Sequence, residues 1–181
     1  MRLLELLKEE AFEKKEVTLS SGRKSNFYVD VKRVSLHPEG ACLIGDSLFD
    51  LIQKQFSTAK AAGGLTLGAD PIATSIAYSS WLKNKPMRAF IVRKQAKAHG
   101  LALWVEGAEK LPAGSPVVIV EDVVTTGKSA LEAIEKVTPL DWNILGVVSV
   151  VDRQEGGQEA LAAKGFRLYS LYQKKDFGIF E

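Results

Sequence analysis

Residues 117–120 read Val-Val-Ile-Val, an apolar run with no polar side chain to turn toward water. A strand with one wet face alternates apolar and polar residues. A continuous run instead belongs to a strand covered on both faces, as in a parallel sheet between helices. The surrounding pattern agrees. Short strands are predicted at 60–65, 87–92, 116–121, 144–151 and 166–172, with helices from Pro71 to about Lys83, from Gly127 to Val137 and over 156–164. Strands alternating with helices build a mostly parallel central sheet with helices on both faces, an α/β fold. Pro38 opens a further helix to about Phe56, since proline suits the first helical turn, where no N–H partner is lost.

The first 36 or so residues break the alternation. Leu3, Leu4, Leu7 and Phe12 have helical spacing over 2–13, and 17–19 and 26–31 read as strands around the turn Ser20-Ser21-Gly22-Arg23-Lys24. They are expected to form a small N-terminal flap or hood (about 1–36) on an α/β core (about 37–181), the 181 residues making one domain. A net charge of +2 provides no field to attract nucleic acid. No stretch approaches the roughly 20 apolar residues that span a bilayer, and the N-terminus meets Glu5 before a signal-peptide core could form. Cys42, the only cysteine, excludes an internal disulfide and, among Ala41, Leu43 and Ile44, reads as a small buried hydrophobe. The expectation is a cytoplasmic protein with neither nucleic acid nor membrane as partner.

The most informative segment follows the apolar run: Glu121, Asp122, Val123, Val124, Thr125, Thr126, Gly127, Lys128 and Ser129 lead into a helix. In open α/β sheets ligands bind beyond the carboxyl ends of strands, where this loop lies. Backbone N–H groups from Thr125 to Ser129 would face an anion at the helix N-terminus, with hydroxyls as extra donors, and Gly127 lets the backbone approach a phosphate. Carboxylates repel phosphate, so Glu121 and Asp122 need another partner. As acceptors they suit the hydroxyls of a ribose, or a metal held by one. Acceptors followed by anion-binding donors fit a ribose 5-phosphate. A lone capping carboxylate beside a polar turn would be unremarked; the whole series is not. Gly127-Lys128-Ser129 ends like a P-loop, but that motif needs Gly at position 122, where Asp122 would repel a nucleotide's phosphates.

Two further clusters carry charge. Arg93, Lys94, Lys97 and His99 place four cationic or potentially cationic side chains within seven residues, ending at Gly100. A charge run is ordinarily a solvated face; this one follows a core strand and suits a pyrophosphate, over which a flexible loop would close and exclude water. Arg153, in Asp152-Arg153-Gln154-Glu155, offers a guanidinium fork to a planar carboxylate, the alternative being a surface arginine paired with Asp152 or Glu155.

The segment from Val117 to Gly127 resembles the signature by which type I phosphoribosyltransferases bind 5-phosphoribosyl 1-pyrophosphate (PRPP), with Glu121 where Asp is common. RKxxKxHG at 93–100 and DRQE at 152–155 narrow the resemblance to the orotate phosphoribosyltransferases, and the SGRKS turn before Phe27 and Tyr28 resembles that family's flap. The resemblance implies transfer of the phosphoribosyl group from PRPP to orotate, giving orotidine 5′-monophosphate and pyrophosphate. It assigns the ribose hydroxyls to Glu121 and Asp122, the 5-phosphate to Val123 through Ser129, and the pyrophosphate to Arg93, Lys94, Lys97 and His99. Lys97, Asp122 and His99 become the catalytic residues, Lys97 by position the general acid, with His99 either sharing that role or anchoring the loop. Thr125, Arg153 and Tyr28 contact orotate. Mg²⁺ is implied as cofactor, held mainly by PRPP and water rather than by a protein cluster, as is a homodimer with shared active sites. Ser20 and Gly68 stand where some members carry a phosphate-binding lysine, so the basic loop is expected to supply more of the charge. A purine or uracil phosphoribosyltransferase leaves Arg153 and RKxxKxHG unexplained; a non-catalytic PRPP-sensing regulator would need a DNA-binding segment.

Overall fold

The computed structural model describes residues 2–13, 17–18, 24–25, 27–96 and 104–179, the pairs 17–18 and 24–25 as backbone alone. Lys97, His99, Gly100 and the turn at 20–23 lie outside the described residues.

Helix α1 (Arg2–Leu6) runs on as a π-helical turn, Leu7–Ala11, burying Leu3, Leu6, Leu7 and Ala11. The expected helix stops there, because Phe12–Glu13 forms strand β1. Strands β2 (Val17–Thr18), β3 (Lys24–Ser25) and β4 (Tyr28–Val29) follow. β3, at the end of the expected turn, pairs with β2, while of the strand expected over 26–31 only β4 forms, pairing with β1 through Phe12↔Val29 and Glu13↔Tyr28. Beyond it the chain turns into a short helix, α2 (Lys32–Ser35), instead of continuing extended. Val31 and Val34, three residues apart, reach one core from such a turn.

Helix α3 (Pro38–Gln55) begins at its proline as expected and buries Ile44, Leu48, Phe49 and Ile52. Cys42 is exposed, not buried. It sits about half a turn from Ile44, so its apolar sequence neighbours are not its neighbours in space. The remaining elements are β5 (Ala61–Leu65), α4 (Ala69–Leu82), β6 (Arg88–Val92), β7 (Val105–Glu106), β8 (Pro116–Val124), α5 (Lys128–Val137), β9 (Asn143–Asp152), α6 (Gly157–Ala162) and β10 (Leu168–Gln173). The sheet order is β10-β9-β8-β5-β6-β7, all parallel except β7, a two-residue antiparallel edge too short to leave a sequence pattern.

The apolar run divides between the faces of this sheet. Val118 and Val120 join a core with α3, Ile72 and Ile76 of α4, and the N-terminal Leu3, Leu7, Phe27 and Val34. Val117 and Ile119 join a second core with Ala130, Ala133 and Ile134 of α5 and Leu161 of α6. Helices cover both faces, so alternate side chains of β8 are all apolar.

Candidate active site

The sheet order reverses between β5 and β8, and at such a switch point the connections leave to opposite sides and open a crevice. The loop after β5, Thr66–Gly68, forms one wall, and the loop after β8 forms the other. β8 does not end at its carboxylates, as the expected strand over 116–121 did; it runs on to Val124, so that both lie inside it. Pairing with β9 continues through Glu121↔Ser149 to Val124↔Asp152, whereas pairing with β5 stops at Gly63↔Ile119. Adjacent strand residues turn to opposite faces, yet β8 has outrun β5. Glu121 and Asp122 therefore both line the gap that β5 leaves, together with Lys32, Thr66, Gly68 and Lys94.

Glu121 is 5% exposed and its Oε1 has no hydrogen-bond partner. Burial, then the Asp122 charge, holds its carboxyl well above the usual range. Burial also raises Asp122, against the Val123 N–H that donates to its Oδ1 at 2.8 Å and against Lys32, 3.8 Å from its Oδ2. An acidic pair with one member buried and the other partly so, and with an unpartnered oxygen, is disfavoured as two anions unless a cation or hydroxyl donor arrives. Both groups keep protons in the folded state that the unfolded chain releases above about pH 4. Their stability contribution is thus full below that range and lost as pH rises through the raised values. The ligand-free protein should lose thermal stability between pH 4 and 8 relative to Glu121→Gln/Asp122→Asn, by about 2–4 °C for each kcal/mol. Parallel Tm profiles would refute this.

Gly68 has a packing reason. A Cβ there would lie 2.6–2.7 Å from the Asp122 carboxyl carbon and oxygens, so the glycine seats that carboxylate. Gly68→Ala is expected to lower kcat/KM for PRPP at least about tenfold, toward the 10²-fold that a 1 Å misplacement can cost. Titrating PRPP at saturating orotate, beside a Tm measurement, checks it; an unchanged kcat/KM would show that Asp122 need not sit there. The same wall carries a cis Thr66–Leu67 peptide and a Thr66 hydroxyl that donates to Asp70 Oδ2 at 2.6 Å.

Residues 123–129 wrap an adjoining cleft with Glu121. Gly127 precedes α5 with φ +77°, in the left-handed region that favours glycine, and so turns the chain into the helix. Thr125 is partly buried, while Thr126, Lys128 and Ser129 are exposed. Sequence reasoning missed the buttress behind this loop. A Cβ on Gly157, at the start of α6, would meet Val124 Cγ1 at 2.4 Å, the Thr125 carbonyl at 2.9 Å and the Gly127 nitrogen at 3.1 Å.

Arg153 N–H donates to the Val124 carbonyl at 2.9 Å, tying its loop to the same wall. The side chain is buried, not a surface arginine. Its Nε and Nη2 lie 3.2 and 3.0 Å from Glu155 Oε1, and its guanidinium stands 5.4 Å from the Phe27 ring centroid. Phe27 is fixed in turn by Phe12 and Phe177, with centroids 5.5 and 5.3 Å away. Asp152 turns elsewhere and accepts from the Gln154 N–H. Tyr28 is half-buried on β4, one residue from Phe27.

Of the basic loop, Lys94 faces the carboxylate cleft, while Arg93 pairs with Glu106 at 3.0 Å and lines the neighbouring cleft with Thr66. The loop is rooted where Arg93 N–H donates to the Trp104 carbonyl. Lys136 clamps that root, donating to the Arg93 and Lys94 carbonyls at 3.0 and 3.3 Å beneath the Trp104 ring. Lys136 and Lys32 had no motif to reveal them. Hydrogen bonding to Asp30, ahead of the Asp122 charge, raises the Lys32 pKa and keeps it an ammonium.

A model of the phosphoribosyl transferase domain family matches residues 61–167. The orotate phosphoribosyltransferase of Rhodopirellula baltica is 43% identical over 181 residues, spanning 98% of this chain and 93% of that protein. Its counterpart in Aquifex aeolicus is 46% identical over 155 residues, spanning 86% and 82%. The structure of Mycobacterium tuberculosis orotate phosphoribosyltransferase in complex with PRPP matches with a TM-score of 0.80 at 39% identity, over 98% of each chain.

Proposed function

This chain belongs to the phosphoribosyltransferase family, among its orotate phosphoribosyltransferases, and from that premise we propose how its own residues carry the 5-phosphoribosyl group of PRPP to orotate. The products are orotidine 5′-monophosphate and pyrophosphate, a step of pyrimidine synthesis. One observation carries the assignment of the cleft: the buried Glu121 lines both the cleft wrapped by residues 123–129 and the one where the partly buried Asp122 meets Thr66–Gly68, Lys32 and Lys94.

In this reading the carboxylates accept from the ribose hydroxyls, and the N–H groups and hydroxyls from Thr125 to Ser129 take the 5-phosphate. That orientation directs C1 and its pyrophosphate toward Thr66–Gly68 and Lys94. Breaking the C1–oxygen bond leaves positive charge on the ribose, which the acidic pair is placed to stabilise. Lys97 donates a proton to the departing pyrophosphate, with His99 sharing that role or anchoring the loop, and Arg93 adds charge when the loop closes. Arg153 takes the carboxylate of orotate as a guanidinium takes any planar carboxylate, with Thr125 and Tyr28 beside the base.

The residues fit magnesium as well. Glu121 Oε1 lacks a partner beside the Asp122 carboxylate. That suits an ion that keeps substrate oxygens and waters in its shell, with Glu121 and Asp122 as the protein's contribution. Bound there, magnesium would supply charge neutralisation to the pyrophosphate. A cytoplasmic homodimer with shared active sites belongs to the same reading. The exposed Tyr78, Trp81 and Leu82 at one end of α4 support the dimer, because exposed apolar residues on one helix mark interaction surfaces. The single cysteine, which forms no internal disulfide, supports the compartment.

The test is an ultraviolet assay of orotate consumption with PRPP and Mg²⁺, repeated with EDTA and with uracil, adenine and hypoxanthine in place of orotate. Orotate alone should be consumed, and EDTA should stop it. Turnover of a purine would replace this reading, and full activity in EDTA would remove the metal.

A further inference from the structure

The wall formed by Thr66, Leu67 and Gly68 carries no cationic side chain, and its one hydroxyl already donates to Asp70. A side chain at position 68 would displace the Asp122 carboxylate from its present seat, since a Cβ there would lie 2.6–2.7 Å from it. A pyrophosphate on this wall, next to two carboxylates, needs positive charge from elsewhere.

Lys32, the first residue of α2, stands across the same cleft. Its Nζ is 2.7 Å from Asp30 Oδ1 but 3.8 Å from Asp122 Oδ2, so Asp30 takes a hydrogen bond and Asp122 does not. Asp30 is itself tied to the Lys32 N–H, 3.3 Å away, so the short turn before α2 aims the side chain. An ammonium has three donors. With one on Asp30, the others remain for an acceptor within the cleft. The 5-phosphate turn lines the adjoining cleft, which shares Glu121 and Ser129 with this one, while residues 123–128 border that cleft and not the one Lys32 lines. The anion within reach of Lys32 is therefore the group on C1.

We infer that Lys32 is a further substrate-binding residue, whose ammonium holds the pyrophosphate of PRPP opposite the Thr66–Gly68 wall and supplies the charge that Gly68 cannot. The inference rests on the cleft being the PRPP site. It also makes α2, a helix for which the sequence reading had no element, part of the binding machinery.

Steady-state kinetics in both directions test it, with Lys32→Met and Lys32→Arg beside the wild type. Lys32→Met should raise the KM for PRPP, and in reverse the KM for pyrophosphate, by about 10–100-fold, the worth of one hydrogen bond to a charged group. The KM for orotate should stay within about twofold, and Lys32→Arg should recover part of the loss. Lysine acetylation of the wild type, read by mass spectrometry, needs no variant to fold: pyrophosphate with Mg²⁺ should protect Lys32, and orotate alone should not. Unchanged KM values for PRPP and pyrophosphate in Lys32→Met, or equal labelling with and without pyrophosphate, would overturn the inference while leaving the function intact. A wild type that consumes no orotate would instead bring down the function.

Discussion

Lys97→Ala is expected to lower kcat by about 10²–10⁴, the range for removal of a positioned general acid, while its melting temperature stays at the wild-type value. The fold should be indifferent because the loop's roots hold without it. Arg93 N–H bonds the Trp104 carbonyl, Ile91 and Val92 pair with Glu106 and Val105, and Lys136 clamps the Arg93 and Lys94 carbonyls. Position 97 is three residues beyond the last of those anchors. If the lysine acts only as the bond to pyrophosphate breaks, kcat and kcat/KM should fall together, since that pattern marks an interaction made in the transition state alone. His99→Ala separates the two roles left open for the histidine. A loop anchor should mainly raise the KM for PRPP and preserve the alkaline limb of the kcat profile, whereas a proton donor should alter that limb. Near-normal turnover in Lys97→Ala would take Lys97 out of the mechanism.

What the sequence made legible was whatever repeats within one element. The run at 117–120 declared a strand covered on both faces because two cores, one per face, need apolar residues at every position. Pro38 declared a helix start because its missing N–H costs nothing there. Illegible were features owned by a partner. β8 outlasts its carboxylates only because β9 pairs with it as far as Val124↔Asp152. Lys32 becomes part of the cleft only through Asp30 and a carboxylate 90 positions away. Gly68 read as a missing lysine, whereas in the fold it is the seat of Asp122. Cys42 misled for a related reason: an apolar neighbourhood in sequence is spread around a helix, and its own direction faces solvent. Arg153 was visible as a motif, but its burial over Phe27 was not, since Phe27 belongs to the N-terminal segment.

That burial sets the size of the second effect. Arg153→Ala should lower kcat/KM for orotate by about 10²–10³, within the 2–5 kcal/mol or more lost when a buried, hydrogen-bonded charge is truncated. It should also destabilise the fold, because Glu155 would be left as a partly buried charge whose Oε2 already lacks a hydrogen-bond partner. Breaking a buried pair costs about 3–5 kcal/mol, enough to lower Tm by about 6–20 °C in a chain of this size. The two losses can be separated. Arg153→Ala/Glu155→Gln removes both charges and should regain much of the stability, yet no orotate binding, since a neutral amide cannot replace a cation facing a carboxylate. PRPP should bind either variant within about threefold of wild type, because Arg153 touches the 5-phosphate wall through its backbone N–H on the Val124 carbonyl, which the substitution keeps. Arg153→Lys should recover only part of the affinity, a point charge in place of a planar fork. If the double variant bound orotate as the wild type does, the guanidinium would be a structural partner of Glu155 and Phe27, and the base would have to be held by other groups.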